Sequence, residues 1–192
     1  MAMFRINVKK RARILTRAEF KRVLKVCTIT REPLRNQLSM CLSHALGLRV
    51  TELATVTIRD VMHASGRIRA ELTMRAEITK NARVRQLPLS NELLLHHLEL
   101  YLAYRIEQDI GVLPAKSEDF RGLSPDLPVI FSSRGGGFAL ATKKRVLETG
   151  AYMEYKACDA LEQLFRYLYK ISGMKVAYSM TILPPIPRAF CH

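Results

Sequence analysis

The run from Ile68 to Ile78 constrains the fold more than any other feature, because it alternates between apolar and polar residues. Even-numbered positions are apolar: Ile68, Ala70, Leu72, Met74, Ala76 and Ile78. Odd-numbered positions are polar or charged: Arg69, Glu71, Thr73, Arg75 and Glu77. This period of two predicts a β-strand with one face on a core and the other in solvent. The run is long for one strand, so we expect a break near Ala70 and Glu71.

A second short strand is predicted to follow and to complete a hairpin. Lys80-Asn81-Ala82 forms a plausible turn, because asparagine tolerates the left-handed conformation. The chain then returns over Val84 to Leu89, and Pro88 favours the end of a strand or the edge of a sheet.

Helices are predicted before and after this hairpin in the sequence. Thr16 and Glu19 form a capping box that predicts a helix from 17 to 27. Pro33 suits the first turn of a second helix, which Gly47 ends after Leu46. The other predicted helices are a short one over 50–56, a long one over 91–110 capped by Ser90, and a last one over 154–171. The long helix is expected to bury Leu93, Leu94, Leu98, Tyr101, Leu102 and Ile106.

These elements predict a mainly α-helical protein with a small antiparallel β-sheet packed on one side, an α+β fold. At 192 residues we expect one domain with short extensions. Our boundaries are a basic N-terminal extension over 1–15, a domain over 16–175 and an unrelated tail over 176–192. The segment 127–131 is expected to be extended, and 134–138 to be a loop.

The charge indicates a polyanionic partner. The net charge is +14, and residues 1–35 carry eleven Lys/Arg against two Glu. Such a basic segment would lie well along a phosphate backbone. The alternative interpretation is a solvated helix face. A further basic patch, Lys143-Lys144-Arg145, follows the glycine-rich loop.

No residue pattern indicates a metal site, a disulfide or a membrane span. The four cysteines lack metal-ligand or redox spacing, and Cys27 and Cys41 lie in apolar helical contexts, so we expect buried free thiols and a cytoplasmic protein. His96 and His97 are neighbours on a helix and diverge by roughly 100°, so they cannot share a metal. Gly135-Gly136-Gly137 lacks the lysine of a phosphate-binding P-loop, and we interpret it as a flexible turn.

Two sequence boxes together resemble the phage integrase family, the tyrosine recombinases. The first is Gly47-Leu48-Arg49 with Thr51-Glu52-Leu53. The second is the hairpin from Ile78 to Leu89, which contains Thr79-Lys80 and ends in Pro88-Leu89. The segment from Pro128 to Phe138 resembles a third conserved stretch. The resemblance covers about residues 11 to 175.

The resemblance implies an enzyme that attacks a DNA phosphodiester with a tyrosine, using no metal or nucleotide cofactor. It implies that Arg49 is the first catalytic arginine and Lys80 the general acid. Guanidinium groups suit this chemistry because they bind two phosphate oxygens and stay charged. A lysine at a hairpin tip can protonate the leaving oxygen. Taken without the resemblance, Arg49 could be a surface arginine and Lys80 a solvated turn residue.

Neighbouring residues receive weaker predictions. Arg83 and Arg85 are expected to touch either DNA phosphate or solvent. The patch Lys143-Lys144-Arg145 is expected to bind DNA. Glu52 is expected to be structural, either orienting its neighbours or capping the short helix. Tyr101 and Tyr104 are expected to pack in the long helix rather than to act as nucleophiles.

The sequence departs from the family beyond Ile171. No His-x-x-Arg occurs in the chain, and no tyrosine follows Tyr178. We therefore expect a truncated or frameshifted domain that cannot cleave DNA alone. The first hypothesis is a DNA-binding recombinase remnant, with duplex DNA and other recombinase subunits as partners. The alternatives are a non-catalytic regulator that occupies recombination sites and a basic RNA-associated protein.

Overall fold

The computed structural model describes residues 15–74, 84–114, 118–146 and 150–174. Its elements run in the order α1 (Arg17–Cys27), α2 (Pro33–Leu46), α3 (Val50–Thr55), α4 (Ile58–Val61), β1 (Glu71–Met74), β2 (Arg85–Pro88), α5 (Glu92–Glu107), a 3₁₀ helix (Asp119–Gly122), β3 (Ala141–Val146), β4 (Tyr152–Ala157) and α6 (Asp159–Ile171). The predicted α+β class is confirmed, with two small sheets among these residues instead of one.

The first two helices begin and end where the sequence predicts. The Thr16 hydroxyl accepts a hydrogen bond from the Glu19 N–H, and the Glu19 carboxylate accepts one from the Thr16 N–H, which completes the capping box. Pro33 opens α2, and Gly47 ends it with a φ of 65°, in the left-handed region that glycine adopts without strain. Leu15, the last residue of the predicted N-terminal extension, is buried against the core.

Helix α2 lies at the centre of the core. It packs against α1 and α5, and its buried residues lie on most sides of the helix rather than along one stripe. Leu38, Met40 and Leu42 are almost completely buried. At its C-terminal end the half-buried His44 ring stacks on Phe20 of α1, with ring centroids 4.0 Å apart. A helix buried on most sides organises the other elements around it.

Strands β1 and β2 form the predicted antiparallel hairpin. Leu72 pairs with Leu87 and Met74 with Arg85, so these residues share the inner face. Leu72 and Met74 are buried, whereas Glu71 and Thr73 are exposed, as the alternation predicts. The strand starts at Glu71, where we expected the run to break. The predicted turn Lys80-Asn81-Ala82 lies outside the described residues.

Helix α5 differs from its prediction at both ends. Asn91, not Ser90, caps it by accepting a hydrogen bond from the Leu94 N–H. Leu93 and Ile106 are exposed rather than buried, and His97 and Arg105 are buried instead. Leu94, Leu98, Tyr101 and Leu102 are buried as predicted. The apolar pattern did not reveal Arg105, because a long arginine side chain enters a core only when distant groups, here backbone carbonyls, accept its hydrogen bonds.

Arg105 is fully buried and fastens α5 to the loop around Pro128. Its Nη1 donates to the Pro128 and Val129 carbonyl oxygens at 2.7 and 3.0 Å, and its Nε donates to the Ile110 oxygen at 3.1 Å. The guanidinium also lies 4.2 Å from the Phe131 ring centroid. Burial lowers the pKa of this guanidinium. These contacts fix the segment 127–131 beside the core. The sequence predicted an extended segment here, but the chain bends in it and forms only one isolated β-bridge, between Pro128 and Thr57.

The C-terminal part of the prediction needs correction. The helix predicted over 154–171 begins at Asp159, and β4 occupies Tyr152–Ala157. Strand β4 pairs with β3, which carries Lys143-Lys144-Arg145 and was not predicted as a strand. The hairpin was missed because most of its residues are exposed, so neither strand shows an apolar alternation.

Three cysteines are described, and all are buried free thiols. Burial raises the pKa of Cys27 and Cys41 to about 12 each, so both thiols stay protonated and unreactive. The prediction of buried free thiols at these two positions is confirmed.

Replacing Arg105 with alanine should destabilise the fold by about 3 kcal/mol or more, since one buried and two partly buried carbonyl groups lose their donor and a cavity remains. Urea unfolding measures this free energy. Arg166→Ala is the matched control, because that side chain is exposed and, among the described residues, forms an ion pair only with Glu162 of its own helix. This variant should cost less than about 0.5 kcal/mol. Similar values for both variants would contradict the structural role of Arg105.

Acid should weaken the fold through His44 and His97, whose pKa values burial lowers. A histidine with a lowered folded-state pKa stabilises the fold above its unfolded pKa of about 6.5, and that stability is lost as the pH falls towards the folded pKa. The free energy of unfolding in urea should therefore be flat above about pH 7 and fall below about 6.5. The double variant His44→Gln/His97→Gln should reduce this slope, and an unchanged slope would refute the assignment.

Candidate functional site

A buried carboxylate, Glu52, lies between two arginines. Its Oε2 accepts the Arg49 backbone N–H at 2.9 Å and Arg85 Nη2 at 2.8 Å. Its Oε1 accepts Arg49 Nη1 at 3.3 Å. The Glu52 side chain is 1% exposed, whereas those of Arg49 and Arg85 are 30% and 38% exposed. One carboxylate therefore holds two half-exposed guanidinium groups together at the surface.

The local sequence explains the position of Arg49. Gly47 ends α2 in the left-handed conformation, and Leu48 is buried, so the chain turns sharply before Arg49. Arg49 is the residue that caps α3, and Glu52 in the first turn accepts its backbone N–H. The prediction that Glu52 orients its neighbours and caps this helix is confirmed.

Strand register explains the position of Arg85. Arg85 lies opposite Met74, on the inner face of the β1–β2 sheet, while Val84 is 64% exposed. An inward-facing arginine beside a core needs a partner, and Glu52 on α3 supplies it. We expected Arg85 to meet phosphate or solvent. It meets a carboxylate, and its Nε is buried with no hydrogen-bond partner among the described residues.

The cluster keeps a positive charge and free donors. Two guanidinium groups against one carboxylate leave one net positive charge, and each guanidinium uses only part of its donor set on Glu52. A fixed, half-exposed guanidinium is suited to bind phosphate oxygens in pairs. Salt bridging to Glu52 limits the conformations of Arg49, so little entropy would be lost when an anion binds.

The other residues of the predicted centre, Lys80 and Arg83, lie outside the described residues. Their contribution to one site with Arg49 stays a prediction.

The predicted basic patch lies on β3, and its members have different surroundings. Lys143 donates to Asp159 of α6 at 2.5 Å, and this hydrogen bond raises the lysine pKa. Lys144 pairs across the hairpin with Glu154 at 3.4 Å, with both side chains mostly exposed. Arg145 is exposed and has no acidic partner among the described residues. The patch is therefore not a uniform row of free cations.

The β3–β4 hairpin adds Lys156 to this surface, a residue that the sequence did not single out. Lys156 is exposed on β4, and its Nζ donates to Thr142 Oγ1 at 2.7 Å. Its carbonyl accepts from Thr51 of α3 at 3.4 Å, which attaches the hairpin beside the helix that Arg49 opens. Gly150, with a φ of 79°, was the available signal for a turn between two strands.

The basic N-terminal region is only partly a surface feature. Arg17, Lys21, Arg22 and Lys25 of α1 are exposed. Arg35 is 8% exposed and donates to Asn36 and to the Phe131 carbonyl, so it belongs to the core and not to a phosphate-facing surface.

The remaining candidates have structural surroundings. Tyr101 is buried, and its hydroxyl accepts the Phe131 N–H, which confirms the prediction that it packs in the long helix. Within the described ranges, no group of histidine, cysteine, aspartate or glutamate side chains could hold a metal. None of the helices described is both long and apolar enough to cross a bilayer.

The Glu52 carboxylate should couple energetically to Arg85. A double-mutant cycle of Glu52→Gln and Arg85→Ala, measured by urea unfolding, should give a coupling of about 1 kcal/mol or more, because the carboxylate is buried. The exposed pair Lys144–Glu154 is the matched control and should give less than about 0.5 kcal/mol. A Glu52–Arg85 coupling near zero would show that this contact does not organise the cluster.

Comparison with known proteins places these elements in a family. Residues 13–136 match the phage integrase family. This range includes the Arg49 box and the β1–β2 hairpin. The crystal structure of XerA recombinase shares the fold with a TM-score of 0.56 and 18% sequence identity, over 86% of this chain and 45% of that chain. The chain thus spans about half the length of that protein. The search of the curated proteins gave no match.

The match extends over more than half of the sequence and contains the residues on which the predicted resemblance rests. The chain belongs to the phage integrase family, the tyrosine recombinases.

Proposed function

We propose that this protein binds duplex DNA through its phosphate backbone, in connection with site-specific recombination or integration. The observation that carries the proposal is the cluster in which buried Glu52 fixes Arg49 and Arg85 at the surface. Membership of the integrase family and a net charge of +14 support a DNA partner. The protein whose fold it shares is itself named a recombinase.

Arg49 is the proposed phosphate ligand of this cluster. Glu52 accepts hydrogen bonds from one guanidinium nitrogen and from the backbone N–H of this residue, so the other guanidinium donors remain available. Charge on the non-bridging phosphate oxygens grows in phosphoryl transfer, and a preorganised guanidinium stabilises it. Arg85 is proposed to support this group, because its strongest contact is with Glu52 and not with solvent.

Lys80 is proposed as the second cation at the same phosphate, with Arg83 as a neighbouring backbone contact. Both residues belong to the sequence box that connects the strands of the β1–β2 hairpin. The contact of Arg85 on β2 with Glu52 supports this proposal, because it joins the same hairpin to the Arg49 cluster. An ammonium group there could protonate a leaving 5′-oxygen.

We further propose that these 192 residues do not cleave DNA by themselves. The family resemblance implies a His-x-x-Arg box and a later nucleophilic tyrosine, and this sequence contains neither. Loss of several members of one catalytic unit costs orders of magnitude in rate. A non-catalytic regulator of recombination sites would also bind DNA without cleaving it. The proposed protein partners are other recombinase subunits.

Arg49→Ala should weaken binding to a labelled duplex by about three- to tenfold at low salt and reduce the slope of log K against log salt by about one. Fluorescence anisotropy measures both. Arg59→Ala is the control, since Arg59 is half-exposed and pairs with Asp126 rather than with Glu52. Equal effects of the two variants, or none from Arg49→Ala, would argue against Arg49 as a phosphate ligand.

Two further assays separate the alternatives. A nicked suicide duplex should trap no covalent adduct with this chain, and an adduct would disprove the proposed lack of cleavage. Competition between duplex DNA and structured RNA should favour the duplex. Preference for RNA would support the interpretation as a basic RNA-associated protein.

A further inference from the structure

The β3–β4 hairpin is a basic element outside the segment that matches the family. It follows residue 136, where the match ends, and it is formed by Ala141–Val146 and Tyr152–Ala157. These two strands carry four Lys/Arg against a single glutamate. The hairpin therefore adds positive charge that the shared family segment does not include.

The two faces of the hairpin differ in exposure. Even-numbered residues all lie on one face and are all exposed: Thr142, Lys144, Val146, Tyr152, Glu154 and Lys156. On the odd-numbered face Lys143, Met153 and Ala157 are half-buried. The odd face is thus partly covered at positions along both strands, and the even face is exposed along its whole length.

The cations of the hairpin differ in whether they already have an acidic partner. Lys143 is held by Asp159 of α6 and ties the hairpin to that helix. Lys144 has an exposed cross-strand partner, Glu154. Among the described residues, the Lys156 ammonium group has only the Thr142 hydroxyl as a partner, and Arg145 has no acidic partner. Arg145 and Lys156 can therefore accept an external anion without breaking an ion pair.

The hairpin lies beside the candidate phosphate site. Thr51 Oγ1 donates to the Lys156 carbonyl, and Thr51 is two residues after Arg49. Strand β4 also packs on α3. The exposed cations of the hairpin thus continue the positive surface that Arg49 begins.

We propose that the β3–β4 hairpin is a phosphate-binding arm for duplex DNA, in which Arg145 and Lys156 contact the backbone and Lys143 anchors the arm to the fold. This assignment rests on the proposed function and deepens it. The proposed DNA contacts come from both strands, whereas the sequence predicted a contiguous patch over 143–145. A duplex with a phosphate bound at Arg49 would extend over the arm.

Three features favour a duplex as the occupant. A two-stranded ribbon fits the major groove of B-DNA, which is about 12 Å wide. Arg145 and Lys156 lie on opposite faces of the ribbon, so they can reach phosphates on both sides of a groove. Tyr152 and Tyr155 are 73% and 44% exposed, and their hydroxyls can donate to phosphate or sugar oxygens.

The test compares three double variants of the full chain with the wild type on a labelled duplex, between about 50 and about 200 mM salt. Arg145→Gln/Lys156→Gln should weaken binding on the order of tenfold and reduce the salt slope by about two. Arg145→Lys/Lys156→Arg keeps both charges and should retain the wild-type slope. Arg67→Gln/Lys170→Gln removes two exposed charges elsewhere and should change the slope by clearly less. Thermal unfolding confirms that each variant is folded.

The outcomes distinguish the arm from the proposed function. Wild-type protein that fails to bind duplex DNA would overturn both. Wild-type binding that survives the Arg145/Lys156 glutamine variant, or that falls equally in the Arg67/Lys170 variant, would overturn the arm alone. A loss seen only on single-stranded DNA of the same length would also overturn it, because exposed tyrosines would then act as stacking platforms.

Discussion

One buried carboxylate organises the basic surface of this protein. Glu52 is nearly inaccessible to water, and a charge in that position is tolerated only if cations and N–H groups surround it. Arg49 supplies a guanidinium and a backbone donor from the same helix start, and Arg85 supplies a guanidinium from a strand some 33 residues later. This single contact connects the two sequence boxes that identify the family, and it leaves a net positive charge at the surface.

Two other arginines are buried, and the core accommodates them through backbone and side-chain hydrogen bonds. Arg105 uses three backbone carbonyls and an aromatic face, and Arg35 uses an asparagine and one carbonyl. Burial lowers the pKa of both groups, yet each remains tied by several hydrogen bonds. These residues stabilise the loop around 128–131 rather than bind nucleic acid. High net charge therefore overstates the number of cations that face a partner.

Both small sheets hold basic side chains at the surface near α3. The β1–β2 hairpin brings Arg85 to Glu52, and the β3–β4 hairpin is attached to Thr51 by the carbonyl of Lys156. Only the first hairpin lies within the segment that matches the family. A shared scaffold with an added basic ribbon is consistent with function located in surface elements rather than in the fold as a whole.

The sequence by itself determined the elements whose signals are local. The Thr16–Glu19 capping box, Pro33, Gly47 and the alternation around Leu72 each act within a few residues, and the structure has them where they were predicted. The family boxes predicted a functional role for Arg49 from the sequence, without knowledge of its contacts. Tertiary structure alone decided which side of β2 faces inward, that Arg85 meets Glu52, and that Arg105 enters the core. It also formed the β3–β4 hairpin, which has no apolar alternation to reveal it. Those outcomes depend on partners distant in the sequence, and burial of a charged side chain is favourable only when such partners arrive together.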